Sequence, residues 1–286
     1  MQIGQRVALT GMAVSGVLAA IKIAAGVMGH SHAVVADGLE SAGDVFASGL
    51  VLLGLTLAAK PADWNHPYGH GRVETLTGLF VGLTLGVAGV AISANALHGI
   101  GTTSAPPATY VVWPLIGSAV VKSLLSGVKF HYARKIGSAA LMADAWHDGV
   151  DILAALAALV AVSFTILAPH QFQSADHWGA FAVGLIVVFT GLRVARDTSL
   201  QLMDTMPDYQ TMARIRQVAL CVSGVHGVEK CYARKTGLQY HVDLHLEVDP
   251  DISVRQSHDI ATQVRIAIKE KLHWVADVLV HVEPAP

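Results

Sequence analysis

Ala143–Asp151 reads Ala-Asp-Ala-Trp-His-Asp-Gly-Val-Asp and opens a hydrophobic run that is long enough to cross a membrane. His147 and Asp151 stand four residues apart, so on an α-helix they lie on one face, about one turn from each other. An imidazole nitrogen and a carboxylate oxygen at that separation can share one divalent metal ion. The stretch therefore predicts half of a metal-coordination shell inside a membrane helix.

A related stretch occurs earlier in the chain. Ala36–Asp44 reads Ala-Asp-Gly-Leu-Glu-Ser-Ala-Gly-Asp, with Glu40 at the position of His147 and Asp44 at the position of Asp151. The two helices together offer three carboxylates and one imidazole. Such a tetrahedral set of oxygen and nitrogen atoms suits zinc and is open to neighbouring first-row metals.

The competing interpretation of these residues is a buried polar cluster that only pins two helices together. A charged residue at mid-bilayer costs about 2.5–3.5 kcal/mol on insertion scales. Three carboxylates kept there for structure alone would consume most of the net stability of a fold. The sequence therefore favours a metal site over a structural cluster.

The composition is that of a membrane protein, because 53% of the 286 residues are hydrophobic and only 14% are charged. Six apolar stretches each reach or exceed the ~20 residues that cross a hydrocarbon core. They lie near Val7–Gly29, Ala33–Ala59, Thr75–His98, Tyr110–Lys129, Ser138–Ala168 and Trp178–Met203. We predict a six-helix transmembrane bundle over residues 1–207, with the first span retained rather than cleaved as a signal peptide.

Basic residues set the expected orientation. They fall at the N-terminus, in the loops between spans 2 and 3 and between spans 4 and 5, and at the end of span 6, whereas the other three loops contain no Lys or Arg. By the positive-inside rule, both termini are expected to be cytoplasmic.

After Pro207 the charges return and the pattern becomes amphipathic, which predicts a second, cytoplasmic domain over residues 208–286. Helices are expected at Asp208–Cys221 and Ser253–Leu272, and strands at Gly227–Lys235, Gln239–Val248 and Val278–Val282. The order αββαβ predicts an α+β layer of the ferredoxin or metallochaperone type. The net charge of −2 offers no basic face for nucleic acid.

Two further clusters carry metal-ligand side chains. The loop Pro61–Arg72 holds Asp63, His66 and His70, which could wrap one ion or could equally be surface groups at a turn. In the tail, defined as residues 208–286, side chains that alternate along a strand share a face. His241, Asp243 and His245 do so on the second strand, His281 and Glu283 on the last, and His258 stands early in the second helix.

These features together resemble the cation diffusion facilitator family of metal transporters, closest to its bacterial zinc and iron efflux members. The resemblance rests on the six spans, the paired acidic and His/Asp helices, the αββαβ tail, and the loop Asn-His-Pro-Tyr-Gly-His-Gly-Arg at Asn65–Arg72 with Glu74 after it. It implies a homodimer that holds the transported ion between its second and fifth spans. The implied ligands of that ion are Glu40, Asp44, His147 and Asp151.

The resemblance implies further sites as well. The loop ligands are Asp63, His66 and His70, and the tail, which also dimerises, uses His245, His258, His281 and Glu283. Arg72 and Asp204 are expected to form an ion pair between the spans and the tail. Two positions depart from the family pattern, because bacterial relatives commonly have Asp where Glu40 stands and the first tail strand often has His where Glu229 stands.

The expected function is secondary active export of a divalent transition metal in exchange for protons from a bacterial inner membrane, without an organic cofactor. Zinc is the expected ion, with iron, cadmium and cobalt as alternatives. One alternative function is a membrane-anchored metal sensor, which leaves the acidic residues of the spans without a purpose. Another is an intramembrane metallohydrolase, but His-Glu-x-x-His is absent, so we do not expect an enzyme.

Overall fold

The structure is a computed structural model that describes the backbone of residues 2–101, 106–136, 139–169, 171–237 and 239–286. The side chains of these residues are described too, except for 2–9, 51, 52, 55, 133, 135, 136 and 139–147. The predicted ligand His147 therefore has a helical backbone, while its side chain lies outside the described residues.

Six long helices occupy the first two thirds of the chain. They are α1 (Gln2–Met28), α2 (His32–Ala58), α3 (Arg72–Gly99), α4 (Val112–Ile136), α5 (Ala139–Leu167) and α6 (Ala175–Leu202). Within the described residues, α1, α3, α4, α5 and α6 each contain a segment long and apolar enough to span a membrane. Helix α2 has 27 residues, but three of its side chains are undescribed, so the sixth span stays a prediction.

Small side chains let these helices pack closely. Buried alanines and valines of α2, α5 and α6 form one core, which brings the helices of the two related stretches together. Helices α3 and α6 approach backbone to backbone, since a Cβ added at Gly82 would lie 2.6 Å from the Ala195 nitrogen.

The tail folds in the predicted order αββαβ. Its elements are α7 (Tyr209–Leu220), β1 (Gly227–Thr236), β2 (Gln239–Val248), α8 (Val254–Lys271) and β3 (Val275–Pro284). Asp208 caps α7 by accepting from the Thr211 N–H at 3.0 Å, and Ser253 and Gln256 form a capping box at the start of α8. The prediction of a mainly helical membrane protein with a C-terminal α+β domain is confirmed.

The sheet has the strand order β1-β2-β3, with β1 antiparallel and β3 parallel to β2. Leu244 and Leu246 of β2 pack against the buried faces of α7 and α8. Because side chains alternate along a strand, the intervening His245 faces the other side of the sheet. A bulge between Val228 and Cys231 interrupts β1 and re-aims the residues within it.

The chain divides into two compact units. One comprises Met1–Leu50 and Phe80–Ala195, and the other comprises Val51–Leu79 and Arg196–Pro286. The predicted transport ligands belong to the first unit. The loop, the tail and the predicted ion pair belong to the second.

Candidate metal sites

Three predicted transport ligands lie on two helices of the bundle, Glu40 and Asp151 buried and Asp44 partly buried. Glu40 and Asp44 stand one turn apart on α2, and Asp151 stands on α5. Glu40 is 7% exposed and Asp151 is 4% exposed. The charges of Asp151 and Asp44 both act on the Glu40 carboxyl, so the structure brings the three carboxylates into one electrostatic neighbourhood.

Buried lysines neutralise acids inside this bundle, and sequence reasoning did not identify this role. The pairs are Lys22 with Asp37 at 2.7 Å, Lys122 with Asp151, and Lys129 with Asp148 at 2.6 Å. The available signal was a lysine within an apolar helix, because an ammonium at that depth needs a partner. The pairing itself depends on which helices are neighbours.

In the described part of the bundle, the Glu40 carboxylate has one unsatisfied oxygen. Its buried Oε2 has no hydrogen-bond partner among the residues that the structure describes. An uncompensated carboxylate oxygen in an apolar interior is costly, and a bound cation would remove that cost. The described ligand atoms of Glu40, Asp44 and Asp151 do not form a group of three within 4.8 Å of one another.

In the loop cluster, by contrast, the potential ligand atoms lie close together. Ligand atoms of Asp63, His66 and His70 all lie within 4.8 Å of one another. The Asp63 carboxylate is 3.0 Å from His66 Nδ1 and 3.4 Å from His70 Nε2. Gly69 has φ +79°, a left-handed conformation that lets the chain turn between the two histidines. The geometry fits one divalent ion held by one carboxylate and two imidazoles.

Asp63 also organises the loop backbone. Its Oδ1 accepts from the backbone N–H groups of His66 at 2.7 Å and Asn65 at 3.0 Å. The hydrogen bond from the His66 N–H is the largest of the effects that lower the pKa of Asp63 below its ordinary value. The carboxylate is therefore ionised, as a metal ligand must be.

A third group of ligand atoms lies on the open face of the tail sheet. His245, His281 and Glu283 approach within 4.8 Å of one another, and His245 Nδ1 is 2.6 Å from Glu283 Oε1. His245 and His281 are neighbours because β2 and β3 pair them in register. His258 stands on α8, which covers the opposite face of the sheet, so its role as a ligand stays a prediction.

Glu229 joins this group and was not among the predicted ligands. Its carboxylate lies 3.9 Å from His245 Nδ1. Hydrogen bonds with the Glu229 carboxyl first, and with His245 second, hold the pKa of Glu283 below its ordinary value. The β1 bulge places Glu229 and Lys230 opposite His245, which strict alternation along the strand would not indicate.

The predicted ion pair joins Arg72 Nη2 and Asp204 Oδ1 at 2.8 Å. Both side chains are about half exposed. A second contact lies beside it, where the Arg234 guanidinium stacks 5.3 Å from the centre of the Tyr68 ring. The loop therefore contacts the segment between α6 and α7 through charge, and the tail through an aromatic face.

Comparison with known proteins gives two family matches along the chain. Residues 8–203 match the family described as the cation efflux transmembrane domain. Residues 207–285 match the family described as the cation efflux protein, cytoplasmic domain.

Individual relatives align over nearly the whole chain. The manganese efflux system proteins MneS and MneP of Bacillus subtilis (strain 168) are 32% and 31% identical, over 98% and 99% of this chain and 96% and 97% of their own lengths. Metal tolerance protein C1 of Arabidopsis thaliana is 30% identical over 99% of this chain and 63% of its own length. A solved structure of the MamM CTD is 30% identical and covers 27% of this chain and 94% of its own, with a TM-score of 0.27.

Proposed function

The chain belongs to the cation diffusion facilitator family, and from this premise we propose that it exports a divalent transition metal across the membrane in exchange for protons. Members of this family are transporters, so the chain is not an enzyme. The observation that carries the proposal is the group of three carboxylates on two helices of the bundle, Glu40 and Asp151 buried and Asp44 partly buried. A divalent cation is the ligand that such a group stabilises best.

The proposed site uses one chemical competition. A metal ion and a proton compete for the same imidazole nitrogen of His147, and for the same carboxylate oxygens. Protons arriving from the more acidic side therefore favour release of the metal on that side. Helices that expose the site alternately to the two sides complete the exchange without a nucleotide.

Zinc and manganese are the two proposed ions. The sequence favours zinc, because an imidazole and carboxylates in a tetrahedral set suit that metal. Manganese is the second candidate, because two relatives are named as manganese efflux proteins and because carboxylates outnumber imidazoles among the proposed ligands. Iron, cadmium and cobalt are the other candidate ions, and the transport experiment below compares all five.

The loop and tail clusters are proposed as further metal sites. The short distances between ligand atoms in both clusters support this role. The match of the tail to the cytoplasmic domain of cation efflux proteins supports a homodimer. We place the protein in a bacterial plasma membrane with both termini in the cytoplasm, as the basic loops and the bacterial relatives favour.

Uptake into proteoliposomes tests the proposal. The purified protein is reconstituted and exposed to Mn²⁺, Zn²⁺, Fe²⁺, Cd²⁺ and Co²⁺ with and without an imposed pH gradient. We expect uptake that the gradient accelerates, and loss of uptake in Asp44→Asn, because the substitution removes one negative charge from the proposed site.

The matched control neutralises a buried ion pair outside the proposed ligand set. Asp148→Asn combined with Lys129→Gln removes a pair on the same two helices as Asp151 and Lys122. Removing both partners costs less than removing one, so this variant is expected to fold and transport. Failure of the wild-type protein to carry any of these ions would leave the sensor hypothesis in place of export.

A further inference from the structure

Lys122 stands inside the proposed transport site. It lies near the middle of the apolar segment Thr109–Tyr132 and is 1% exposed. Its ammonium group pairs with Asp151, and the charges of Asp44 and Glu40 act on it as well. A permanent cation on α4 therefore shares the carboxylates that the transported ion needs.

The charges of the site balance only when Lys122 is included. The three carboxylates carry three negative charges, and a divalent ion offsets two of them. A net charge left in the bilayer interior is costly, and the Lys122 ammonium offsets the third. The metal-loaded site is then neutral as long as the ammonium stays nearby.

The ammonium group of Lys122 occupies a carboxylate that the proposed function assigns to the metal. Its Nζ contacts the Asp151 carboxylate. Asp151 is also one of the proposed metal ligands. The ammonium group and a metal ion therefore compete for the same carboxylate oxygen. Entry of the metal therefore requires the ammonium to yield that oxygen.

We propose that Lys122 is a tethered cation that competes with the transported metal for Asp151, and so sets the affinity and release rate of the site. The inference rests on the proposed function. As the metal leaves, the ammonium returns to Asp151 and keeps the carboxylate from recapturing the ion. Lys122 is thus a positioning residue for transport rather than a ligand.

The other two buried lysines differ in what they contact. Lys22 lies 2.7 Å from Asp37 Oδ2 and donates to the Ser41 hydroxyl at 2.7 Å. Lys129 pairs with Asp148. Asp37, Ser41 and Asp148 are not proposed ligands, whereas the Lys122 partner Asp151 is one.

Two substitutions at Lys122 should move metal affinity in opposite directions. Lys122→Gln removes the competing charge, so we expect the Kd for Mn²⁺ or Zn²⁺ to fall about tenfold or more. Lys122→Arg keeps the charge and adds a planar fork that binds a carboxylate with two hydrogen bonds, so we expect the Kd to rise. Isothermal titration of the full chain in detergent measures both values.

Transport gives a second readout. The Gln variant should show a lower KM and a lower turnover in proteoliposomes, because tighter binding slows release. A residue with a merely structural role would lower turnover without lowering the KM. The matched control is Lys129→Gln, which removes a buried ammonium from the same helix and should leave the Kd for the metal unchanged.

Several results would overturn the proposal. A Kd that is unchanged or raised in Lys122→Gln would do so, as would a shift of both Lys122 variants in the same direction. Should the Gln variant fail to fold, a Kd that does not rise in Lys122→Arg decides against it. Metal binding by the wild type alone separates this failure from that of the proposed function, because a wild type without any binding removes both.

Discussion

The membrane site and the clusters of the loop and tail differ in the charges that they bring together. In the loop and the tail, the ligand atoms of one carboxylate and two imidazoles lie within 4.8 Å of one another. In the bundle, three carboxylates are neighbours, and a lysine pairs with one of them.

The physical difference is the surrounding medium. Two unit charges 4 Å apart interact by about 1 kcal/mol in water and by several times more near or below a protein surface. The loop and tail groups each contain one carboxylate and two imidazoles, so like-charge repulsion does not oppose their approach, and water screens their exposed side chains. Buried carboxylates need an internal cation or a bound metal, which couples metal binding to the rest of the bundle.

The largest expected effect follows from removing a buried partner. Asp151→Ala should abolish transport and also lower the free energy of unfolding by about 3–5 kcal/mol, because it leaves the Lys122 ammonium buried and unpaired. Thermal unfolding in detergent and proteoliposome uptake measure the two effects. Adding Lys122→Met should restore stability without restoring transport, and a stable single variant would break the comparison between buried and exposed sites.

The loop should lose metal binding without losing stability. Asp63→Ala removes the carboxylate shared by His66 and His70, so we expect the loop site to bind metal at least about tenfold more weakly. The melting temperature should stay close to that of the wild type, since Asp63 is exposed. Metal titration is done in the Asp44→Asn background, where the transport site is weakened and the binding measured comes mainly from the loop. An Asp63→Ala protein that unfolds would contradict the expectation.

The pH dependence of the loop has a defined sign. The pKa of Asp63 is lowered in the folded protein, so the stability from its backbone hydrogen bonds is present above the ordinary pKa of Asp, about 3.9. That contribution is lost as the pH falls through the lower folded-state value. NMR titration of the Asp63 carboxyl carbon should therefore give a midpoint below that of a model peptide, and a midpoint above it would refute the assignment.

Metal binding by the tail should depend on the Glu229 carboxyl. We expect Glu229→Ala to weaken metal binding by the tail about tenfold, because the carboxyl supports both Glu283 and His245. His258→Ala should have a smaller effect than His245→Ala within one chain. An equal loss in the two histidine variants would show that α8 supplies a ligand after all.

Cys231 provides the folding control for these tail variants. It is buried in the tail core, and burial raises the pKa of its thiol to about 11. At pH 8 it should resist alkylation in the folded tail, whereas the exposed Cys221 should react. Rapid labelling of both cysteines in a variant would indicate that the tail has unfolded.

The smallest effect is expected for the ion pair between Arg72 and Asp204. Both side chains are about half exposed, so water screens the pair. A double-mutant cycle with Arg72→Ala and Asp204→Ala should give a coupling energy of about 0.2–1 kcal/mol. A coupling of several kcal/mol would show that the pair is desolvated in the assembled protein.

Several features of the site could be predicted because they depend on local spacing. The related stretches around Glu40 and His147 could be recognised because each places two polar side chains four residues apart in an apolar segment. Asp63, His66 and His70 stand within eight residues of one loop, so the local sequence alone could indicate that they are close together. In each case the ligands are close in sequence or related by a repeat.

Other features could not be predicted because they depend on partners far apart in sequence. The pairing of Lys122 with Asp151 requires α4 to lie beside α5 at one particular rotation. The place of Glu229 depends on a bulge, which breaks the alternation from which strand faces are inferred.

The sequence by itself determined the membrane-spanning character, the αββαβ order of the tail and the family, because hydropathy, periodicity and motif spacing are properties of the local chain. Only the tertiary structure decided which buried carboxylates are paired with lysines. The reason is that the energy of a buried charge depends on its nearest neighbours in space, and several of those neighbours stand on other helices.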